Sequence, residues 1–281
     1  MRFLMLISAF LFAAVCSTNI HAQSGYSIQV RIDGFEQKEL YLGYYLGDKQ
    51  YLRDTAVQDA KGNYIFSDTA ALPAGVYILV LPPENNFFQI LIPEKGQHFS
   101  MQTKLDQMTE QIQFKGSPEN TAFYNYLNYL SERNKEADPI NKALEASQDT
   151  VEKTRLQKTL TALGEKVKTY QQAFVKEHSP MLVARIVKAN LNTDIPEFEG
   201  SESERQLKML YFLRAHYFDH LDLADPAMLR TPFLYEKIDY FINKLHYQHP
   251  DSIAVALDTV IARLRPAEES FKFYHVYFHV E

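Results

Sequence analysis

The sequence predicts an α+β protein in which an N-terminal antiparallel β-sandwich or open barrel is followed by an all-helical domain. Two observations lead to this prediction. Short apolar segments separated by turns fill the chain as far as Gly116, and helix-start signals dominate from Ser117 onward. We expect a signal peptide over residues 1–22, a β-sandwich-like domain over 23–116 and a helical domain over 117–281.

The N-terminal segment has the pattern of a secretory signal peptide. Arg2 gives a short positive region, residues 3–15 are apolar apart from Ser8, and a polar stretch ends at Ala22, after which we expect cleavage. The apolar run is too short for a transmembrane helix. This pattern predicts export to the periplasm or cell envelope, with no transmembrane segment after signal cleavage.

The single cysteine, Cys16, offers an alternative mode of anchoring. It is a candidate for the acylated cysteine of a lipoprotein, but Val15 precedes it where such signals favour Gly, Ala or Ser. Cleavage after Ala22 is therefore the preferred interpretation. The mature chain would then contain no disulfide, no thiolate nucleophile and no redox cysteine pair.

The β domain is organised around residues 41–66, which are rich in Tyr and Leu and have Gly62 placed for a positive φ in a hairpin turn. A half-buried strand is predicted before it, because apolar residues alternate over 26–32. The continuously apolar segment 76–81 predicts a central strand. Further strands are predicted at 87–92, 98–101 and 112–114.

The helical domain is marked by Pro directly after a capping residue, as in Ser117-Pro118 and Asp138-Pro139, and by a capping box of Ser201 with Glu204. These signals predict helices near 118–134, 139–178, 180–191, 202–221, 232–248, 251–264 and 266–281. The long second helix carries apolar residues at alternating steps of four and three from Leu156 to Phe174. We expect this seam to pack on helix 118–134 as a helical hairpin, with a dimer seam as the alternative.

The last predicted helix stays aromatic and apolar to the end of the sequence, without a capping glycine or a polar tail. This pattern predicts that the sequence is a fragment of a longer chain. Phe271, Tyr274 and Phe278 should pack in part on helices 232–248 and 251–264. The rest of the helix surface should form an exposed apolar patch that a following segment would cover.

Charge argues against nucleic acid as a partner. The formal net charge is −6, from 29 basic and 35 acidic residues, and the chain has no block of clustered Lys and Arg. Nucleic-acid binding needs such clusters to displace counterions, and binding to an anionic membrane surface is disfavoured for the same reason.

Histidine pairs are the only pattern that suggests a metal. His216 and His220 are four residues apart on a predicted helix, and His275 and His279 repeat that spacing. Two such pairs would offer four zinc ligands, and a metal-dependent hydrolase is a third functional hypothesis. The first pair lacks the Glu that a metalloprotease uses as its base, so ordinary histidines are the preferred interpretation. Two further histidines are predicted at a helix end, His246 and His249.

A tyrosine cluster is the other candidate ligand surface. It comprises Tyr41, Tyr44, Tyr45, Tyr51 and Tyr64. These rings predict either cross-strand pairs that fill the sheet or an exposed aromatic patch for a peptide or glycan. The sequence has no P-loop, nucleophile elbow or dinucleotide-binding glycine pattern. We therefore assign no catalytic, cofactor-binding or metal-binding residue, and we expect no cofactor.

Several segments together resemble a family of exported bacterial proteins. In the β domain the resemblance lies in 40–66, in Leu81-Pro82-Pro83 through Gln97-His98-Phe99-Ser100, and in Phe114-x-Gly116-Ser117-x-x-Asn120. In the helical domain it lies in His216-Tyr217-Phe218-Asp219, Leu229-Arg230-Thr231-Pro232 and Gln248-x-Pro250-Asp251-Ser252-Ile253. The chain is similar to the two uncharacterised domains that precede a thioredoxin-like module in TlpA/ResA-like proteins.

This resemblance implies a function without chemistry in the present chain. In that family a thioredoxin-fold domain with a Cys-x-x-Cys pair follows the helical domain, so no catalytic residue is carried over. The resemblance implies a non-catalytic accessory or partner-binding region of a periplasmic thiol-disulfide oxidoreductase-type protein. Its partner would be the downstream thioredoxin-like domain or an unknown protein. The alternative is a free-standing periplasmic peptide- or glycan-binding protein.

Overall fold

A computed structural model describes residues 25–280, which form two four-stranded sheets followed by a helical region. The predicted α+β architecture is confirmed. The predicted signal peptide, residues 1–22 with Cys16, lies outside the described residues.

The two sheets pack face to face as a sandwich. The strands are β1 Tyr26–Asp33, β2 Glu39–Leu46, β3 Lys49–Val57, β4 Tyr64–Asp68, β5 Gly75–Leu81, β6 Asn86–Ile92, β7 His98–Lys104 and β8 Gln113–Lys115. The first sheet has the order β4-β1-β7-β8 and the second β3-β2-β5-β6. Every described strand pair is antiparallel except β1 with β7, which run parallel. The predicted antiparallel sandwich therefore contains one parallel pair, which joins strands distant in sequence.

Burial of β5 explains why its sequence is continuously apolar. Tyr77 and Leu79 point into the core between the two sheets, while Val76 and Ile78 point to the opposite face, which the helices cover. A strand covered on both faces has no polar side, so alternation disappears. The prediction of a central strand at 76–81 is confirmed.

The helical region contains seven α-helices within the described residues. They are α1 Pro118–Ala146, α2 Thr150–Glu177, α3 Leu182–Ala189, α4 Glu202–His216, α5 Pro232–Asn243, α6 Pro250–Leu264 and α7 Glu268–Val280. Two short 3-10 turns lie at Leu105–Gln107 and Met228–Arg230. None of the described helices combines the length and the apolar character needed to cross a membrane.

The predicted helix start at Asp138-Pro139 is wrong. Helix α1 continues through Pro139 to Ala146, and α2 starts instead after Asp149, whose side chain accepts a hydrogen bond from the Val151 amide at 2.8 Å. Pro139 and Lys135, four residues earlier, are both exposed. Water can therefore solvate the carbonyl that loses its helical partner, which makes Pro tolerable at this position.

Helices α1 and α2 form the predicted hairpin. The Tyr170 ring of α2 stacks on Tyr129 of α1 with 3.7 Å between ring centroids, and Phe174 lies 5.2 Å from Tyr126. Leu156 and Phe174, at the two ends of the α2 seam, are buried. The seam packs within the chain, as the hairpin interpretation predicts.

Helix α1 also covers the free edge of β6. The Asn120 amide group is fully buried, accepts from the Leu91 N–H at 2.7 Å and donates to the Leu91 carbonyl at 2.8 Å. The Tyr124 hydroxyl donates to the Gln89 carbonyl at 2.8 Å. These side chains replace the missing neighbouring strand, so the edge is closed to further pairing.

The two regions share one continuous core. Tyr45, Val76, Ile78 and Leu91, on the outer face of the second sheet, belong to the same buried cluster as the side chains of the helices. The sandwich has its own second core between the sheets. The helical region is therefore packed onto the sandwich through an apolar interface.

Candidate functional site

An apolar groove runs between the β2–β3 hairpin and α7. Its volume is about 500 Å³. Its lining residues are Leu46, Asp48, Lys49, Tyr51, Lys272, Phe273, Val276 and Tyr277. We call this feature the α7 groove. It is the place where the sandwich and the last helix meet at the surface.

Gly47 allows the hairpin to approach α7. It has a φ of +62°, which favours glycine, in the two-residue turn between β2 and β3. A Cβ atom at this position would lie 2.3 Å from Cζ of Phe273. An added side chain would collide with the Phe273 ring, so this glycine lets the hairpin turn pack closely against α7.

The groove leaves large apolar groups accessible. The Val276 side chain is 61% exposed and Tyr51 is 42% exposed, whereas Phe273 and Tyr277 are half-buried. Tyr51 is held in place by stacking on Tyr44 of β2, with ring centroids 5.7 Å apart. Ordered apolar groups at the surface are typical of a contact site for another protein.

Charged groups lie at the rim. Lys272 forms an ion pair with Glu268, one helical turn away, at 2.5 Å. Lys49 is exposed and makes no ion pair within the described part of the chain. The groove therefore offers an apolar floor, with an exposed cation, Lys49, beside an exposed anion, Asp48. The described lining residues include no histidine, and Asp48 supplies their only carboxylate.

A larger cleft of about 690 Å³ lies between α1, α2 and the chain after α3. Three of its charged lining residues are already paired: Lys168 binds Asp194 at 2.5 Å and Arg133 binds Glu136 at 2.8 Å, whereas Glu165 makes no ion pair within the described part of the chain. Such pairs compete with an incoming ligand for the same side chains. We therefore place the candidate site in the α7 groove.

The five tyrosines of the sequence cluster do not form one surface patch. Tyr64 is fully buried between the sheets, and Tyr45 is buried on the opposite face, under the helices. Tyr44 and Tyr51 form a cross-strand pair, as the packing interpretation predicts. Tyr41 is half-buried and donates a hydrogen bond to Glu39 at 3.1 Å. Of the five, Tyr51 alone lines the α7 groove.

The histidine pairs have local partners. His216 lies 2.7 Å from Asp219 and packs on the ring of Phe212, and His279 Nδ1 lies 2.7 Å from the carbonyl oxygen of His275. Over residues 25–280, the structure groups no three His, Cys, Asp or Glu side chains in a way that would hold a metal ion. The two pairs are not brought together into one site.

The two histidines predicted at a helix end, His246 and His249, lie at the loop between α5 and α6. His246 Nδ1 is 2.8 Å from the carbonyl oxygen of Phe241, in the last turn of α5. The prediction of a histidine at this helix end is therefore confirmed for His246. The prediction is wrong for His249, which is the N-cap residue of α6. Helix α5 stops at Asn243, five residues earlier than the predicted end.

The sequence analysis identified only one wall of the groove. It predicted an exposed apolar patch on the last helix. Among the described apolar side chains of α7, Val276 is exposed, and the others are half-buried or buried. It also predicted packing of this helix on its predecessors, and the Tyr277 hydroxyl lies 2.9 Å from that of Tyr235 on α5. It missed the second wall, formed by Leu46 and Tyr51, because no local signal places the hairpin beside α7. Gly47 marks a turn in the sequence, but it does not indicate which helix the turn contacts.

Comparisons with known proteins identify two domains without an assigned role. Residues 26–123 match a domain of unknown function, DUF4369, and residues 147–279 match another, DUF5106. The first match covers the sandwich and the start of α1, and the second covers α2 to most of α7. No curated protein and no solved structure matches the chain. The similarity to two uncharacterised domains is thus found, and the link to TlpA/ResA-like proteins stays a prediction.

Proposed function

We propose that this chain is the non-catalytic, partner-binding region of an exported thiol-disulfide oxidoreductase-type protein, and that a thioredoxin-like domain docks in the α7 groove. The observation that carries the proposal is the exposed apolar surface of α7 facing the β2–β3 hairpin. A docked domain would cover Val276 and Tyr51 and remove their apolar area from water.

Two further points support this occupant. The sequence resemblance implies that a thioredoxin-like domain follows the helical one, and α7 is the last helix described. A domain joined after residue 281 would therefore start beside the groove. Lys49 at the rim would complement an acidic side chain of that domain.

The first test is to read the gene beyond the codon for Glu281. A continuing frame with a Cys-x-x-Cys stretch is the expected result. A stop codon there in an intact gene, with no such stretch encoded nearby, would remove the link to thiol-disulfide chemistry.

The second test addresses the groove with two matched variants. Val276 in the groove and Val255 on α6 outside it are each 61% exposed. The separately expressed thioredoxin-like domain is added to each variant, and the binding is measured by calorimetry. Val276→Glu should weaken binding at least about tenfold, because it places a charge in an apolar contact, and Val255→Glu should not. Equal binding by both variants would contradict docking in the groove.

The alternative is a free-standing peptide-binding protein, which one observation favours. Strand β3 lies at the edge of its sheet, and its Leu52 and Val57 side chains are exposed. An extended peptide adds to such an edge through main-chain hydrogen bonds. A gene that stops after Glu281 would favour this function over the first. A glycan ligand has less support, because the tyrosine cluster is divided between two faces of the sheet.

A further inference from the structure

Helix α4 alone, among the seven described α-helices, buries none of its residues. It has fifteen residues, and its middle section, from Leu207 to Leu213, is mostly apolar. A helix of this length is marginal in water and normally depends on burying an apolar face against another element. The side chains of Leu207, Met209 and Tyr211 are exposed, so the folded chain leaves part of the apolar surface of α4 uncovered.

One face of α4 combines apolar and charged residues at helical spacing. Steps of three, four and three residues place four side chains on one side of the helix: Glu204, Leu207, Tyr211 and Arg214. We call these four residues the α4 stripe. Leu207 is 44% exposed and Tyr211 is 56% exposed. The stripe therefore has an apolar middle and one charged residue at each end.

Arg214 orders the exposed rings at its end of the stripe. Its guanidinium lies 5.8 Å from the centre of the Tyr211 ring and 5.5 Å from that of Tyr247, in the loop before α6. Its Nε donates to the carbonyl oxygen of Leu245. Tyr247 is 65% exposed, so a second aromatic ring extends the apolar surface. Tyr and Arg are enriched at protein contact sites, and rings that are already ordered lose less entropy on binding.

The two charged ends of the stripe have no ionic partner within the described part of the chain. The Glu204 carboxylate accepts from the N–H and the hydroxyl of Ser201 at 2.7 and 2.8 Å, and Arg214 binds an uncharged carbonyl. The hydrogen bonds from Ser201 lower the pKa of Glu204, so its carboxylate is ionised at neutral pH. The two charges are about 15 Å apart along the helix, too far to pair within one chain.

A second copy of α4 complements this pattern when it lies antiparallel. Suppose that Leu207 faces Tyr211 of the second copy. Three residues toward the start of one helix then correspond to three residues toward the end of the other, so Glu204 faces Arg214 of the second copy. A two-fold axis produces each contact twice. A parallel arrangement would instead bring like charges together, which is unfavourable.

We propose that this chain forms a homodimer in which α4 packs antiparallel against α4 of a second copy. Leu207 packs on Tyr211 of the second copy in the middle of the contact. Glu204 pairs with Arg214 of the second copy on both sides of the two-fold axis, and Tyr247 extends the apolar area. None of these residues lines the α7 groove, so the dimer contact and the proposed docking of a thioredoxin-like domain use separate surfaces.

The first test measures the mass of the full chain by analytical ultracentrifugation over a wide range of concentrations. A reversible monomer–dimer equilibrium is the expected result. Leu207→Glu should weaken the dimer at least about tenfold, because it places a charge in the apolar middle of the contact. Two controls should leave the dimer unchanged: Leu105→Glu, at a leucine that is 41% exposed on the sandwich, and Val276→Glu in the α7 groove.

The second test reverses the charges and reports the orientation of the helices. Glu204→Arg brings positive charges together across the axis and Arg214→Glu brings negative charges together, so each variant alone should dimerise at least about tenfold more weakly. An equimolar mixture of the two variants should recover most of the lost affinity, because both charge pairs are then of opposite sign. Circular dichroism establishes that each variant is folded.

Three results would overturn the proposal. A chain that stays monomeric at every concentration would leave the α4 stripe to a different protein. A dimer that Leu207→Glu does not weaken, or that the two control variants weaken equally, would place the contact elsewhere. Folded charge variants that associate no better when mixed than alone would contradict the antiparallel pairing.

Discussion

At the scale of single residues, Asn120 has the clearest energetic role. Its side chain is fully buried and pairs with both the N–H and the carbonyl of Leu91 on the edge strand β6. Asn120→Ala would leave two buried main-chain groups without partners, each costing about 1–3 kcal/mol. We expect a loss of about 2–4 kcal/mol in the free energy of unfolding, measured by urea denaturation.

The control for this prediction lies on the same helix. Asn125 is exposed. Asn125→Ala should change stability by less than about 0.5 kcal/mol. If the two variants were equally stable, the Asn120 side chain would not be what closes the strand edge.

A second residue-scale prediction concerns pH. The Asp225 carboxylate is buried and lies 2.7 Å from Arg185. Burial raises the pKa of Asp225 even though the guanidinium of Arg185 acts in the opposite direction. The folded state therefore holds this proton more tightly than the unfolded state. The stability that this carboxyl contributes is fully present below about pH 4 and is lost as the pH rises through its raised folded-state pKa.

Asp225→Asn removes this titration and keeps an acceptor for Arg185. We expect the variant to gain stability relative to the parent protein as the pH rises from about 4 to 7. Urea unfolding at several pH values measures the difference, with Asp222→Asn as a control that removes the same charge from an exposed position. If the parent protein instead became more stable relative to Asp225→Asn as the pH rises over that range, the effect of Arg185 on the pKa of Asp225 would be larger than the effect of burial.

At the scale of elements, the contact between the β2–β3 hairpin and α7 rests on a glycine. Gly47 and Gly62 both have positive φ values, but a Cβ atom at Gly62 would meet nothing within 4 Å, whereas one at Gly47 would meet Phe273. Gly62→Ala should cost about 1–2 kcal/mol through backbone strain alone. Gly47→Ala should cost about 1–3 kcal/mol more, because the added methyl group collides with a ring of α7.

Urea denaturation of the two variants measures this difference. Adding Phe273→Ala should recover part of the loss in Gly47→Ala and none of the loss in Gly62→Ala, since only the first pair is in contact. Equal losses in the free energy of unfolding for Gly47→Ala and Gly62→Ala would mean that α7 does not pack closely against the hairpin turn.

At the scale of the whole molecule, the shared core predicts cooperative unfolding. Four buried side chains of the second sheet, Tyr45, Val76, Ile78 and Leu91, belong to the core that contains the helices. Burial of each is worth about 1.5–3 kcal/mol, so together they match the total stability of a typical domain, about 5–15 kcal/mol. We expect one calorimetric transition for the whole chain, and no stable fold for residues 25–116 alone.

A pair of isoleucines tests this coupling. Ile78 is 3% exposed at the interface, whereas Ile65 on β4 is 48% exposed. Ile78→Ala should lower the free energy of unfolding by about 2–5 kcal/mol and shift the single transition as a whole to lower temperature. Ile65→Ala should have little effect. Two separate transitions, with only one moved by Ile78→Ala, would show that the two regions unfold independently.

The sequence by itself determined the fold class, because the residue patterns typical of strands and of helices are local properties of the chain. Alternation over 26–32 and the apolar run at 76–81 indicate which strand faces are buried, and the Pro-marked helix starts indicate where helices begin. The same signals failed at Pro139, where solvent access, a tertiary property, made the proline tolerable inside α1. Local capping chemistry cannot reveal whether water reaches the carbonyl that the proline leaves unpaired.

Only the tertiary structure decided where the candidate sites lie. Leu46 and Phe273 are more than two hundred residues apart in the chain, and only packing of the helices on the second sheet brings them to one groove. The burial of the Tyr274 hydroxyl, which has no hydrogen-bond partner among residues 25–280, is likewise invisible in the sequence, since it depends on the elements packed around it. Periodicity specifies which side of an element is buried, but it carries no information about which other element covers that side.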